Sequence, residues 1–192
     1  SQFVTDVWKP SNIDGDKFGS QLKDGAVISA PGFKEAWKQT VESGWLQAVC
    51  KEEHGGMGLP LFFRNAMDEP AISCNMAISV VAALSLGVYD LIIKHASQEI
   101  IDRYAIPVSS GEWCGTMCLT EPHCGTDLGL IKTKATPQDD GSFLITGTKI
   151  FITAGDHDLS DNIVHMVLAK LPDAPEGSRG ISLFLVPKFL DD

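Results

Sequence analysis

The amino-acid sequence predicts an α+β fold: an all-helical first part followed by an antiparallel, barrel-like β-domain. Three observations carry this expectation. Apolar residues before residue 110 recur at helical spacings of three and four, as in Phe33, Ala36, Trp37 and Val41. Beyond Gly111 the texture changes to short β-branched runs bounded by Gly, Asp and Pro. The two textures are segregated and do not alternate, which separates α+β from α/β. The boundary falls at 108–111 and divides the chain into a helical domain, 1–110, and a β-domain, 111–192.

The elements follow in order. A helix over 31–41 starts behind Pro31 and ends at Gly44. A short apolar run then leads into the loop Glu52-Glu53-His54-Gly55-Gly56-Met57-Gly58-Leu59-Pro60. A second helix, 61–75, is expected to be interrupted near Pro70. Residues 76–95 form a buried helix or two helices broken at Gly87; the stretch 76–93 nearly reaches membrane-spanning length, but Gly87 and Asp90 favour protein core over bilayer. A last helix over 97–104 is capped by Ser97 and stopped by Pro107. Strands are expected at 113–119, 131–136, 142–146, 148–153, 163–170 and 180–186. Asp140-Gly141 sets a tight hairpin, and 172–178 is a polar hairpin loop.

The 192 residues are 44% hydrophobic with a formal net charge of −10, enough for a sizeable core and unsuited to a general nucleic-acid surface. The five cysteines lack disulfide-framework spacing, which points to a reducing, cytoplasmic setting. The opening residues lack the features of a secretory signal, and a start without Met suggests a fragment. Cys114, Cys118, His123 and Cys124 are metal-ligand types, but the adjacency of His123 and Cys124 suits zinc poorly. Gly55-Gly56-Met57-Gly58 lacks the strand–turn–helix context of a dinucleotide fingerprint. His95, His157 and His165 read as structural, and Glu121 as a structural carboxylate more than a general base.

The densest run of hydrogen-bonding groups is Cys118-Leu119-Thr120-Glu121-Pro122-His123-Cys124-Gly125-Thr126-Asp127-Leu128-Gly129, where a strand end passes into a Gly-containing turn. Such a loop can donate several hydrogen bonds to a flat heteroaromatic ring or a phosphate. The run resembles the motif of acyl-CoA dehydrogenases, departing at Cys124 and Leu130, where that family has small residues. Residues 53–60 resemble the family's N-terminal loop, with His54 for Tyr. Gly147-Thr148-Lys149-Ile150-Phe151-Ile152-Thr153-Ala154-Gly155 resembles its second flavin segment, with Phe151 for Trp. The segments 154–158, 162–165 and 180–187 look most like the larger bacterial members acting on acyl-CoA or methylthiopropanoyl-CoA.

The resemblance implies α,β-dehydrogenation of an acyl-CoA thioester with hydride transfer to FAD, whose ring does the redox chemistry. It implies that Thr120 and Thr153 hydrogen-bond the isoalloxazine ring and that Met117, Cys118 and Leu119 line it. It also implies that Gly125 and Thr126 approach the pyrophosphate and the CoA arm, and that Phe151 packs near the ring. Electron-transferring flavoprotein is the implied electron acceptor, and the full-length protein is an implied homo-oligomer. The family's catalytic carboxylate belongs to a C-terminal helical domain outside these residues, so the chain is expected to be inactive and to hold FAD weakly or not at all. The alternatives are a non-catalytic acyl-CoA-binding or scaffolding module of the same fold, or an acyl-CoA oxidase.

Overall fold

The computed structural model describes residues 2–190. Two short helices, α1 (Gln2–Val7) and α2 (Lys9–Phe18), and a small hairpin, β1 (Gln21–Lys23) with β2 (Ala26–Ile28), come first. The pattern of apolar residues did not announce them. Val4 is the only buried residue of α1 and Ser11 the only one of α2, too few for a period to emerge.

The remaining helices are α3 (Phe33–Glu42), α4 (Phe62–Cys74), α5 (Met76–His95) and α6 (Gln98–Ser110). Two expected breaks are absent. Pro70 lies inside a continuous α4, and Pro107 lies inside α6, which runs on to Ser110 and closes at Gly111. A proline forfeits one backbone hydrogen bond, and in α6 the complete burial of Ala105 and Val108 on either side of Pro107 favours continuing the helix. Ser97 caps α6 as expected, its Oγ accepting the Ile100 N–H at 3.5 Å. Gly87 does not break α5, which is a single 20-residue helix whose N-terminus is capped by Asn75, Oδ1 accepting the Ile78 N–H at 3.1 Å. By length and hydropathy α5 could cross a membrane, but half of its most apolar window is buried inside the protein. It is the central core helix.

That core is shut by satisfied indoles. Trp8 Nε1–H donates to Thr40 Oγ1 at 2.8 Å and Trp37 Nε1–H donates to the Gly111 carbonyl at 3.0 Å. A buried indole needs such a partner to avoid the cost of an unmet donor.

The sheet departs from expectation in two ways. Its strands are β3 (Trp113–Cys118), β4 (Lys134–Pro137), β5 (Phe143–Thr146), β6 (Asn162–Lys170) and β7 (Ile181–Pro187). The central strand is β6, paired antiparallel with β7 along one edge and parallel with β3 and then β4 along the other. It is therefore mixed, not antiparallel, and the described strands form an open sheet, not a closed barrel. Two hairpins are as expected: the Asp140-Gly141 turn joins β4 to β5 antiparallel, and the loop after Lys170 joins β6 to β7. The parallel β3–β6 pair closes only through some forty intervening residues, and no local pattern records it. The expected strand at 148–153 is irregular, because Phe151 (φ 56°) and Ala154 (φ 54°) occupy the left-handed region.

Helices and sheet meet where α5 crosses β3. Gly115 lets the backbones close in: a Cβ there would stand 2.6 Å from Val88 Cβ and 3.1 Å from Ser85 Cα. Ser85 Oγ accepts the Gly115 N–H at 3.0 Å while donating to the Val81 carbonyl at 2.9 Å, so an amide on the free side of β3 is satisfied from the helix. Gly115→Ala is expected to lower unfolding stability by about 1–3 kcal/mol through overpacking, read as a reduced urea midpoint. An unchanged midpoint would mean that α5 and β3 are not in close contact.

Candidate functional site

The loop after β3 is built around a buried carboxylate. Glu121, 3% exposed, accepts hydrogen bonds from the backbone N–H groups of Lys132 (2.8 Å) and Thr133 (3.0 Å), from Thr133 Oγ1 (2.5 Å) and from Lys149 Nζ (2.9 Å). Burial alone would raise its pKa, but the Thr133 hydroxyl, the Lys132 amide, the Lys149 ammonium and the Thr133 amide together outweigh burial and hold it down at about 2. A carboxylate with such a pKa is ionised throughout the neutral range and makes a poor proton acceptor. Glu121 is structural, as the sequence suggests.

Around this node the segments expected to form a site come together. Glu121 and Cys124 exchange two backbone hydrogen bonds, of 2.9 and 3.1 Å, which fold 121–124 into a tight turn. Lys149 Nζ also donates to the Leu119 carbonyl at 3.1 Å, and the Ile150 N–H donates to the Thr120 carbonyl at 2.9 Å. The 147–155 segment is thus clipped alongside 119–121. A Cβ on Gly125 would lie 3.4 Å from Thr120 Cγ2, so Gly125 sits against the Thr120 side chain.

The eight residues singled out in the sequence fall into three groups. Thr120 and Gly125 are direct neighbours, and Thr120 is joined through its carbonyl to the segment that carries Phe151 and Thr153. Phe151 is 89% exposed, and Thr126 and Thr153 are exposed as well. Met117 and Leu119 are half-buried, while Cys118 is buried, with Sγ 3.6 Å from Thr116 Oγ1 and 3.8 Å from His165 Nδ1. Successive strand side chains face opposite ways, so the Cys118 thiol is turned toward His165 and away from Met117. Burial raises its pKa, a state unsuited to nucleophilic chemistry.

Glu121, His123 and Cys124 place one ligand atom each within 4.8 Å of one another. The set is not open for a cation. The Glu121 oxygens already serve four donors, and His123 Nε2 lies 2.9 Å from the Leu130 carbonyl, which requires that nitrogen to carry a proton. His157 is a residue whose environment the sequence did not signal. It is buried, its Nδ1 accepts the Leu159 N–H at 3.2 Å, its Nε2 has no partner among the described residues, and burial depresses its pKa to about 4.

Comparison with known proteins follows the same residues. The family model for the acyl-CoA dehydrogenase N-terminal domain matches residues 26–112, and that for the acyl-CoA dehydrogenase middle domain matches residues 116–191. The chain is 45% identical over 189 residues to the 3-methylmercaptopropionyl-CoA dehydrogenase of Ruegeria pomeroyi, covering 98% of this chain and 32% of the relative. It is 39% identical over 188 residues to a butyryl-CoA dehydrogenase of Syntrophomonas wolfei, covering 96% of this chain and 31% of the relative. Among solved structures, the acyl-CoA dehydrogenase from Geobacillus kaustophilus superposes with a TM-score of 0.75 at 24% identity, over 97% of this chain and 45% of that one, a likeness of fold. The chain thus spans about a third of the length of these curated relatives.

Replacing Glu121 by Gln strands the Lys149 ammonium in a buried setting, and a loss of about 3 kcal/mol at neutral pH is expected. The pKa of Glu121 lies below its ordinary value of 4.5, so its contribution is complete above pH 4.5 and is lost as pH falls toward 2. Urea unfolding of both proteins at pH 7 and pH 3 checks this: the gap should narrow at pH 3, and a pH-independent gap would refute the electrostatic account.

Proposed function

This chain belongs to the acyl-CoA dehydrogenase family, and from that premise we propose that it forms the flavin-side part of an acyl-CoA dehydrogenase site. In the whole protein that site removes two hydrogens from the α and β carbons of an acyl-CoA thioester and delivers the hydride to FAD. The observation that carries the reading is the clipping of 147–155 against 119–121. It sets Thr120, Gly125, Phe151 and Thr153 on two adjoining segments pinned from beneath by Lys149 and Glu121.

The residues present fit a flavin. Thr120 and Thr153 would offer hydroxyls to the polar edge of the isoalloxazine, Met117 and Leu119 would supply half-buried apolar contact, and Phe151 would cover a ring. Gly125 and Thr126 lie where the chain can approach a phosphate-bearing arm without a bulky side chain intervening. When bound, the flavin supplies the redox chemistry. This chain's residues would orient the ring and cover one side of it. Cys118 belongs to the set through its backbone, since its thiol is turned to Thr116 and His165.

The division into a helical domain, 1–110, and a β-domain, 111–192, belongs to the same proposal. So do an acyl-CoA substrate, electron-transferring flavoprotein as acceptor, a homo-oligomeric whole protein and a cytoplasmic location. Similarity to the Ruegeria protein favours the branch of larger bacterial enzymes. The proton-abstracting carboxylate is not assigned to this chain, because Glu121, the buried acid of the loop, is already consumed by four hydrogen bonds.

FAD titrated into the 192-residue chain and followed by flavin fluorescence is expected to bind weakly, since the pinned segments offer a surface more than an enclosure. The double variant Thr120→Val with Thr153→Val should weaken binding about tenfold, the order expected from losing two hydroxyl hydrogen bonds. Equal binding by both proteins would reject these residues as flavin ligands.

A further inference from the structure

The stretch that follows Phe151 and Thr153 is held by three consecutive side chains, each engaging a different part of the chain. Asp156 Oδ1 accepts from Lys188 Nζ, just past β7, at 2.5 Å. His157 turns inward, its ring buried and its Nδ1 accepting the Leu159 N–H at 3.2 Å. Asp158 Oδ1 accepts the Ser29 N–H, just past β2, at 3.0 Å. The attachment continues into β3: Ser160 Oγ accepts the Cys114 N–H at 3.3 Å, and the Asp161 N–H donates to the Glu112 carbonyl at 3.2 Å.

Phe151 and Thr153 therefore hang between two anchors. Upstream, Lys149 grips Glu121 and the Ile150 amide grips the Thr120 carbonyl. Glu121 keeps its charge down to about pH 2, so this anchor does not change in mild acid. The downstream anchor, 156–158, has a titratable pin. With Nδ1 accepting, the His157 ring is neutral and carries its proton on Nε2, which has no partner among the described residues. A second proton would land on Nδ1, set two donors against each other at the Leu159 amide and create a buried charge. The charged and titratable groups facing the ring are Asp156, Asp158, Lys188 and His165 of β6. Both carboxylates are already engaged, by Lys188 and by the Ser29 amide. Burial above all, aided by Lys188 and His165, holds the His157 pKa at about 4 against the pull of the two aspartates.

We infer that His157 is a positioning residue: while its ring is neutral the 156–158 latch holds Phe151 and Thr153 in place for the flavin, and its protonation releases them. The role rests on the flavin reading of Phe151 and Thr153, whereas the latch rests on the hydrogen bonds of 156–161 alone. Release becomes easier as pH falls from 6.5 toward 4, because the freed imidazole takes up a proton that the closed one refuses.

The test is amide hydrogen exchange of the 192-residue chain at pH 7 and pH 5, corrected for intrinsic rates. It compares the wild type with His157→Asn, whose side-chain oxygen can accept the Leu159 N–H without titrating. From a pKa of 6.5 when free and about 4 when closed, opening should rise about twentyfold between the two pH values. Protection should fall accordingly at Leu159 and at Gly155, whose N–H is bonded to the Ile152 carbonyl. The Gly115 amide, bonded to Ser85, should stay protected and reports an intact fold. The variant, which retains His165, should show no such change. FAD affinity, followed by flavin fluorescence, should fall over the same window in the wild type only. A flat wild-type profile, or a loss of protection shared by the variant, overturns the latch. Loss of protection with FAD affinity unchanged overturns the positioning role. Should Gly115 lose protection in the variant, the NMR titration of the wild-type His157 ring replaces it, and a midpoint apart from that of the protection loss overturns the latch. FAD binding to neither protein at either pH rejects the flavin reading and the positioning role together, while the exchange data still decide the latch.

Discussion

The geometry of the β-domain loops depends on one ionised carboxylate taken out of water. Removing Glu121 from solvent is costly, and the cost is met by two amides, a hydroxyl and an ammonium drawn from different parts of the chain. Those donors cannot be supplied unless 132–133 and 149 both stand beside 121. The carboxylate therefore acts as a geometric constraint: it specifies the position of three segments at once, and any arrangement lacking one of them leaves a buried charge under-satisfied. Lys149 extends the constraint by reaching the Leu119 carbonyl with the same ammonium group.

A second constraint ties this node to the helical core. Helix α5 is apolar enough to be mistaken for a membrane span, and its buried face runs from Ile78 to Ile92. At Gly115 the strand that leads into the Glu121 loop is pressed against it, with Ser85 supplying the acceptor that a neighbouring strand would otherwise provide. The path from α5 through β3 to the loop is short and rigid. It places Thr120 two residues beyond the end of a strand whose other side chains are packed, which is how a loop acquires the positional precision of the scaffold behind it.

The helices from α3 to α6 and the two hairpins of the β-domain were legible in the sequence because their information is local. The period of Phe33, Ala36 and Trp37, the Ser97 cap and the Asp140-Gly141 turn each lie within a few residues of the structure they specify. What failed was either too short to show a period, as with α1 and α2, or decided at a distance. Pro107 is overruled by packing, Gly87 by the uninterrupted apolar face of α5, and antiparallel closure by the long-range β3–β6 pairing. The site was legible in part. The segments around Thr120 and Phe151 could be named from their motifs, and the fold brings Thr120 beside Gly125 and joins its carbonyl to the Ile150 amide. The inward turn of Cys118 and the Nε2 of buried His157, without a partner among the described residues, depend on neighbours far along the chain, and no spacing encodes them.

The misplaced strand at 148–153 bears most directly on function. A regular strand there would have paired its amides with a neighbour and alternated its side chains across two faces. The chain instead takes a left-handed step at Phe151 and another at Ala154, conformations that cost a residue with a Cβ on the order of 1 kcal/mol each. It also leaves a phenylalanine ring 89% exposed. Both features lie on a segment held from beneath through Lys149 and the Ile150 amide. A segment that spends backbone strain and apolar exposure while anchored this firmly is organised toward something that packs on its outer side. The proposed flavin would be such a partner: Phe151 would meet its apolar part, and the exposed Thr153 its polar edge.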